Sequence, residues 1–209
     1  MPRCLPPEHT TECINRVIAQ AKEEGYLVIY NHPVWSCHDY NDYIGLKGLW
    51  GVEWFNAASN TEGLVDSFQP IKDLLLQGEN VFPIAADDMH NETALGKGFL
   101  MVKAEKLEYG AIMDALERGD FYSSSGPKIE MLYYEDGFLY VRTDRPAMIS
   151  VNSSSRFEKY AAAYLTEAKY DVTRFLSNPA NKDGYLRVSV MDESDHIAYT
   201  RAYRCSEFE

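Results

Sequence analysis

The sequence predicts a mixed α/β chain, with parallel βα units first and an antiparallel β region after them. Three observations predict it. Up to about residue 90, three short apolar runs alternate with helical patterns, the signature of βα units with a parallel sheet. Each run ends in polar or ionisable residues: His32, then Glu53 with Asn56, then Asp88 with His90. Beyond about residue 100 the pattern changes to period-two alternation, with a hairpin signal at Glu135-Asp136-Gly137. The expected division is a βα part over residues 1–125 and a β-rich part over residues 126–209.

Taken in order, Thr10 and Thr11 can cap a helix whose Ile14, Val17, Ile18 and Ala21 form one stripe, ended by Gly25. Tyr26 to Tyr30 is a continuous apolar run, as expected of a strand covered on both faces. A short helix is expected near Tyr40 to Ile44. The second strand run is Leu49 to Phe55. Leu64, Phe68, Ile71 and Leu75 then share one helical face, interrupted by Pro70, which predicts a kink or two shorter helices. Val81 to Ala86 is the third strand run. A helix over Leu107 to Arg118 is expected to pack Ala111, Ile112, Ala115 and Leu116. In the β part, Ile129 to Tyr134 and Phe138 to Thr143 flank the hairpin turn, and Ile149 to Asn152 reads as a further short strand. Tyr185 to Met191 turns Leu186, Val188 and Val190 to one side, and Ile197 to Tyr203 is expected to pair with it. Together these strands suggest a small antiparallel sandwich.

Composition narrows the function classes. The chain has 209 residues, 45% of them apolar and 25% charged, as in ordinary folded proteins. A net charge of −12 and a pI near 4.9 argue against a broad nucleic-acid surface, which needs clustered Lys and Arg. A small anionic substrate stays open, since it needs only a local positive site or a metal. No run of ~18 apolar residues is present, so no membrane partner is expected. The N-terminus lacks the apolar core of a signal peptide. Cys4, Cys13, Cys37 and Cys205 are scattered without CxxC spacing and read as free thiols, small buried hydrophobes of a cytoplasmic protein.

The strand-end residues carry the chemistry. In parallel α/β folds, ligands and catalytic groups collect at the C-terminal edge of the strands. Asp88 and His90, two residues apart, can present a carboxylate and an imidazole together, both good ligands for Zn, Mn or Fe. His32 ends another strand, and Pro33 stiffens its turn. Each residue also has an ordinary reading: a hydrogen-bonded turn histidine for His32, a salt-bridge partner for Glu53. A catalytic metal usually needs about three protein ligands and an open position. His32, Asp88, His90 and Glu53 are the candidates. His38 is a further recruit or simply an exposed loop histidine.

At these residues the chain resembles the PHP superfamily, named for polymerase and histidinol phosphatase domains. The matching phrases are Asn31-His32-Pro33-Val34-Trp35-Ser36, Gly51-Val52-Glu53-Trp54-Phe55-Asn56 and Ala86-Asp87-Asp88-Met89-His90, in the family's order. Met101-Val102-Lys103-Ala104 and the Gly119 to Pro127 stretch resemble members with a β-rich extension. The resemblance implies a partial PHP-type βα barrel (late strands only) followed by an antiparallel β-sandwich-like region. It implies hydrolysis of phosphate esters at a multinuclear centre of divalent Zn, Mn or Fe, with His32, Asp88 and His90 at ligand positions. The family's opening His-x-His strand and other early ligands have no counterpart here. The resemblance therefore implies a truncated barrel, weak or absent metal binding, and inactivity of this chain alone. Under this reading the strand at Tyr26 to Tyr30 lies exposed, and self-association or a companion chain covering it is expected. A non-catalytic binding or assembly module derived from the same family is the competing expectation.

Overall fold

The structure is a computed structural model that describes residues 10–156, 159–160 and 163–208. It divides into two compact units, Met1–Gly96 and Lys97–Glu209. The division lies well before residue 125, because the strands on either side of the Leu107–Arg118 helix pair into the antiparallel sheet.

The first unit opens with helix α1 (Thr11–Glu23). Thr10 caps it, its hydroxyl oxygen accepting from the Cys13 N–H at 3.3 Å. Gly25, at φ 85°, takes the left-handed position just past its end. Three parallel strands follow: β1 (Ile29–Tyr30), β2 (Gly51–Asn56) and β3 (Phe82–Ala86), in spatial order β1-β2-β3. The central strand is buried along nearly its whole length, as a strand with neighbours on both sides and helices on its faces must be. The first strand corrects the reading of Tyr26 to Tyr30. Only Ile29 and Tyr30 pair, and Tyr26 and Ile29 are 49% and 37% exposed. Among the described residues β1 pairs only with β2, so it is an edge strand and lacks the double cover of a central one.

The helices between strands are short. Helix α2 (Tyr40–Tyr43) starts in a capping box between Asp39 and Asp42. Helix α3 (Ala57–Thr61) lies before the Leu64–Leu75 pattern, of which only the later part is helical, as α4 (Gln69–Leu76). Pro70 does not kink a helix; it opens α4 in the first turn, where its missing N–H costs nothing. Ile71, Leu74 and Leu75 bury its inner face, and Leu64 lies outside both helices.

The second unit is one curled antiparallel sheet rather than a two-sheet sandwich. It begins with β4 (Phe99–Val102), helix α5 (Tyr109–Arg118) and β5 (Phe121–Ser124). Of the residues expected inside α5, only Ala115 is fully buried. Next, β6 (Ile129–Glu135) and β7 (Phe138–Ser153) form the expected hairpin, with Asp136 and Gly137 both at positive φ as a type I′ turn requires. Strand β7 runs on through Pro146 and absorbs the separate strand expected at Ile149. Its first half pairs with β6 on one side and β9 (Leu165–Asp171) on the other. Its second half pairs with β10 (Tyr185–Asp192) and with β8 (Lys159–Tyr160). A register irregularity between Arg142 and Ala147 marks the bend. The helix α6 (Thr173–Leu176) and the strands β11 (Ile197–Thr200) and β12 (Tyr203–Arg204) complete the unit, and the main sheet path is β4-β5-β11-β10-β7-β6. Its core gathers Leu139, Val141, Ile149, Val151, Leu186, Val188 and Val190, the inward set of the alternating strands, with Phe175 from α6.

Candidate functional site

The C-terminal ends of β1, β2 and β3 bring most of the candidate residues onto one rim. The chain leaves β1 through His32, whose backbone is left-handed at φ 28°. A β-carbon resists that conformation, so surrounding contacts must hold it. Two buried carboxylates do so. Glu53 Oε2 accepts the His32 backbone N–H at 2.7 Å, and Asp66 Oδ1 accepts the Val34 backbone N–H at 2.8 Å. Turn bonds from Ser36 to His32 and from His38 to Pro33 close the loop. The His32 ring meets Ser36 Oγ through Nδ1 at 3.0 Å and packs edge-on against Trp35.

Glu53 is 5% exposed and Asp66 6%. Burial pushes both carboxyls above their ordinary range, against the N–H donors and the nearby His32, which pull them down. Asp66 Oδ2 is buried and has no hydrogen-bond partner among the described residues. Asn56, fully buried at the end of β2, donates from Nδ2 to Glu53 Oε2 at 3.2 Å and to Asp88 Oδ2 at 3.1 Å. Its carbonyl oxygen caps α3 by accepting from the Ser59 N–H.

At the end of β3, Asp88 is also left-handed, at φ 45°. His90 Nδ1 lies 2.7 Å from the Asp88 carbonyl oxygen, which can only accept, so Nδ1 is the donor of this bond. A metal-ligating histidine is oriented in this way. The ring is nevertheless 73% exposed, and its Nδ1 is 4.0 Å from Asp88 Oδ1. His38 stacks on Tyr30 and shares a 2.5 Å hydrogen bond with its hydroxyl. His196 belongs to the second unit, 3.5 Å from Asp192, and His9 and Cys4 lie outside the described residues. Cys13, Cys37 and Cys205 are free thiols; Cys37 is exposed, unlike the other two.

The resemblance implies a metal centre, and the donors as placed do not fit one. Glu53 Oε2 is taken by His32 and Asn56, and Asp88 Oδ2 by Asn56. Among the described residues no group of three or more His, Cys, Asp or Glu side chains is positioned to hold a metal ion. Sequence reasoning finds His32, Glu53, Asp88 and His90 but misses the work of Asn56 and all of Asp66. Asn56 is visible as a polar residue ending a buried strand; Asp66 falls within the Leu64–Leu75 pattern but off its apolar face, where a carboxylate reads as an ordinary solvated residue.

The second unit holds a groove of about 530 Å³ whose walls include Tyr122, Met131, Tyr133 and Tyr203. Three of its charged residues are engaged in ion pairs, Arg201 with Glu207, Glu130 with Arg142 and Asp120 with Arg118, and Lys103 also lines it. Among the described residues no helix is long and apolar enough to cross a membrane. No family model, no curated protein and no solved structure matches the chain.

Proposed function

We propose that the chain is a relative of the PHP metal-dependent phosphoesterases, built on the late strands of that βα barrel, and inactive alone. Hydrolysis of a phosphate ester would require ligands from outside the described residues. The observation carrying this reading is the convergence of His32, Glu53, Asn56 and Asp88 at the C-terminal ends of three parallel strands, with His32 and Asp88 both in strained backbone conformations. One such residue means little; four on one rim, in the order of a hydrolase family, favour shared descent. The residues present can orient a turn and two carboxylates, and no chemical step is assigned to them.

The test is hydrolysis of p-nitrophenyl phosphate with Mn, Zn or Fe supplied. The purified chain should give no turnover. Extracts of its source should contain turnover that co-fractionates with the chain and disappears with Asp88→Ala. Turnover by the purified chain overturns the inactivity, and the absence of any Asp88-dependent turnover overturns the phosphoesterase reading.

The competing reading is a non-catalytic assembly module. The exposed edge at β1 favours it, with Tyr26, Ile29 and Trp35 open beside it. A second copy or a companion chain pairing along Tyr26–Tyr30 would cover that edge. Sedimentation velocity decides: a concentration-dependent dimer lost on Ile29→Lys supports it, and a monomer at all concentrations removes self-association.

A further inference from the structure

We infer that the Asn56 carboxamide is the resident cross-link of this rim, standing between Glu53 and Asp88 where a cation would stand, so that the strand ends are held together without metal. The inference rests on the rim read as derived from a metal site, and it explains why these donors do not fit one.

The geometry is that of a bridge. Two carboxylates from neighbouring strand ends approach one atom, Asn56 Nδ2, at 3.2 and 3.1 Å. Like charges this close repel, and a proton, a cation or a donor between them relieves the repulsion. A divalent ion would do it; the two N–H dipoles of one amide do it here. The amide cannot turn over. Its oxygen is occupied by the Ser59 N–H at 3.0 Å, and only nitrogen can donate to two carboxylate oxygens. Asn56 itself is 0% exposed, while the Asp88 side chain at the outer end of the bridge is 37% exposed. Glu53 Oε2 passes the tie to the His32 N–H at 2.7 Å. One side chain therefore links the ends of β2 and β3 and, through Glu53, the turn after β1. Asn56 is a positioning residue: it fixes His32 and Asp88 by way of Glu53 and its own amide.

The capping role permits a clean test, because Asp and Ser cap helices about as well as Asn. Asn56→Asp keeps the α3 cap and replaces the bridging donor with a third carboxylate. Asn56→Ser keeps the cap and loses the bridge without adding charge. Melting temperature and Mn²⁺ binding of the full chain are measured in EDTA and in MnCl₂. The wild-type chain should melt at the same temperature in both. Asn56→Asp should melt several degrees lower in EDTA, recover in MnCl₂, and bind Mn²⁺ on the order of tenfold tighter than wild type or better. Asn56→Ser should melt lower in both media, with no recovery. Should Asn56→Asp fail to fold in EDTA, folding restored by Mn²⁺ counts in favour. Stabilisation of the wild type by Mn²⁺, wild-type stability of Asn56→Ser, or wild-type stability of Asn56→Asp in EDTA each overturns the inference. None of these readouts involves phosphate-ester turnover, so the inference and the proposed function fail separately.

Discussion

Replacing Glu53 separates what its charge does from what its shape does. The His32 N–H at 2.7 Å and Asn56 Nδ2 at 3.2 Å both donate to the same Glu53 oxygen, Oε2. Glutamine can place its carbonyl oxygen there and keep both bonds. Alanine removes the acceptor, stranding the His32 N–H and half of the Asn56 amide. A buried donor left unpaired costs about 1–3 kcal/mol. Glu53→Ala should therefore lose about that much, or roughly 5–20 °C in melting temperature for a unit of this size. Glu53→Gln should lose less than about 1 kcal/mol, because removing a buried charge offsets the imperfect substitution. Either variant should also differ from the wild type in pH dependence. Burial raises the folded pKa of Glu53, so the folded state holds its proton more tightly than the unfolded chain. Stability then falls as pH rises from the ordinary glutamate value of about 4.3 through the folded pKa, and Glu53→Gln should flatten that decline. The assay is urea unfolding followed by tryptophan fluorescence at a series of pH values. Trp35, Trp50 and Trp54 all lie in the first unit, so the signal reports that unit alone. Equal losses for alanine and glutamine, or an unchanged pH slope in Glu53→Gln, would refute the reasoning.

Asp66→Ala should cost about 1–3 kcal/mol by stranding the Val34 N–H, whereas Asp66→Asn keeps an acceptor there and should cost less than half as much, both read by the same fluorescence. Because burial also raises the Asp66 carboxyl, Asp66→Asn should remove a further share of the stability lost as pH rises above about 4. Gly51→Ala should cost about 1–3 kcal/mol, since the new Cβ would lie 2.6 Å from Ile84 Cγ1 inside the parallel sheet. Phe175→Ala should cost about 3–5 kcal/mol in the second unit, where the ring is 1% exposed, and circular dichroism should detect the loss while tryptophan fluorescence stays silent.

Local chemistry makes the β6–β7 hairpin legible in the sequence. Asp136-Gly137 between two alternating runs has few alternatives, because only such residues accept two successive positive φ angles. The Thr10 cap, the His32 and Asp88 that follow strand ends, and Glu53 within β2 are legible from equally local patterns. Strand β9 is not. Leu165-Thr-Glu-Ala-Lys-Tyr-Asp is mostly exposed, and only Tyr170 in it is fully buried, so hydrophobic periodicity has little to report. The continuity of β7 is hidden by Pro146. A proline is tolerated at an irregularity between two paired stretches, and that irregularity exists only once β9 and β10 are in place.

What the sequence determined by itself is the class of most segments before residue 160 and the presence of ionisable groups near three strand ends, since both follow from periodicity and turn chemistry within a few residues. Tertiary structure decided what those groups do. The partners of Asn56 include Asp88, 32 residues away, and Asp66 meets Val34 across the same separation. Whether two carboxylates face a metal ion, each other or an amide depends on ångström-scale placement of distant strands. Here that placement set an amide between them, and a neutral residue with no chemistry of its own became the centre of the rim.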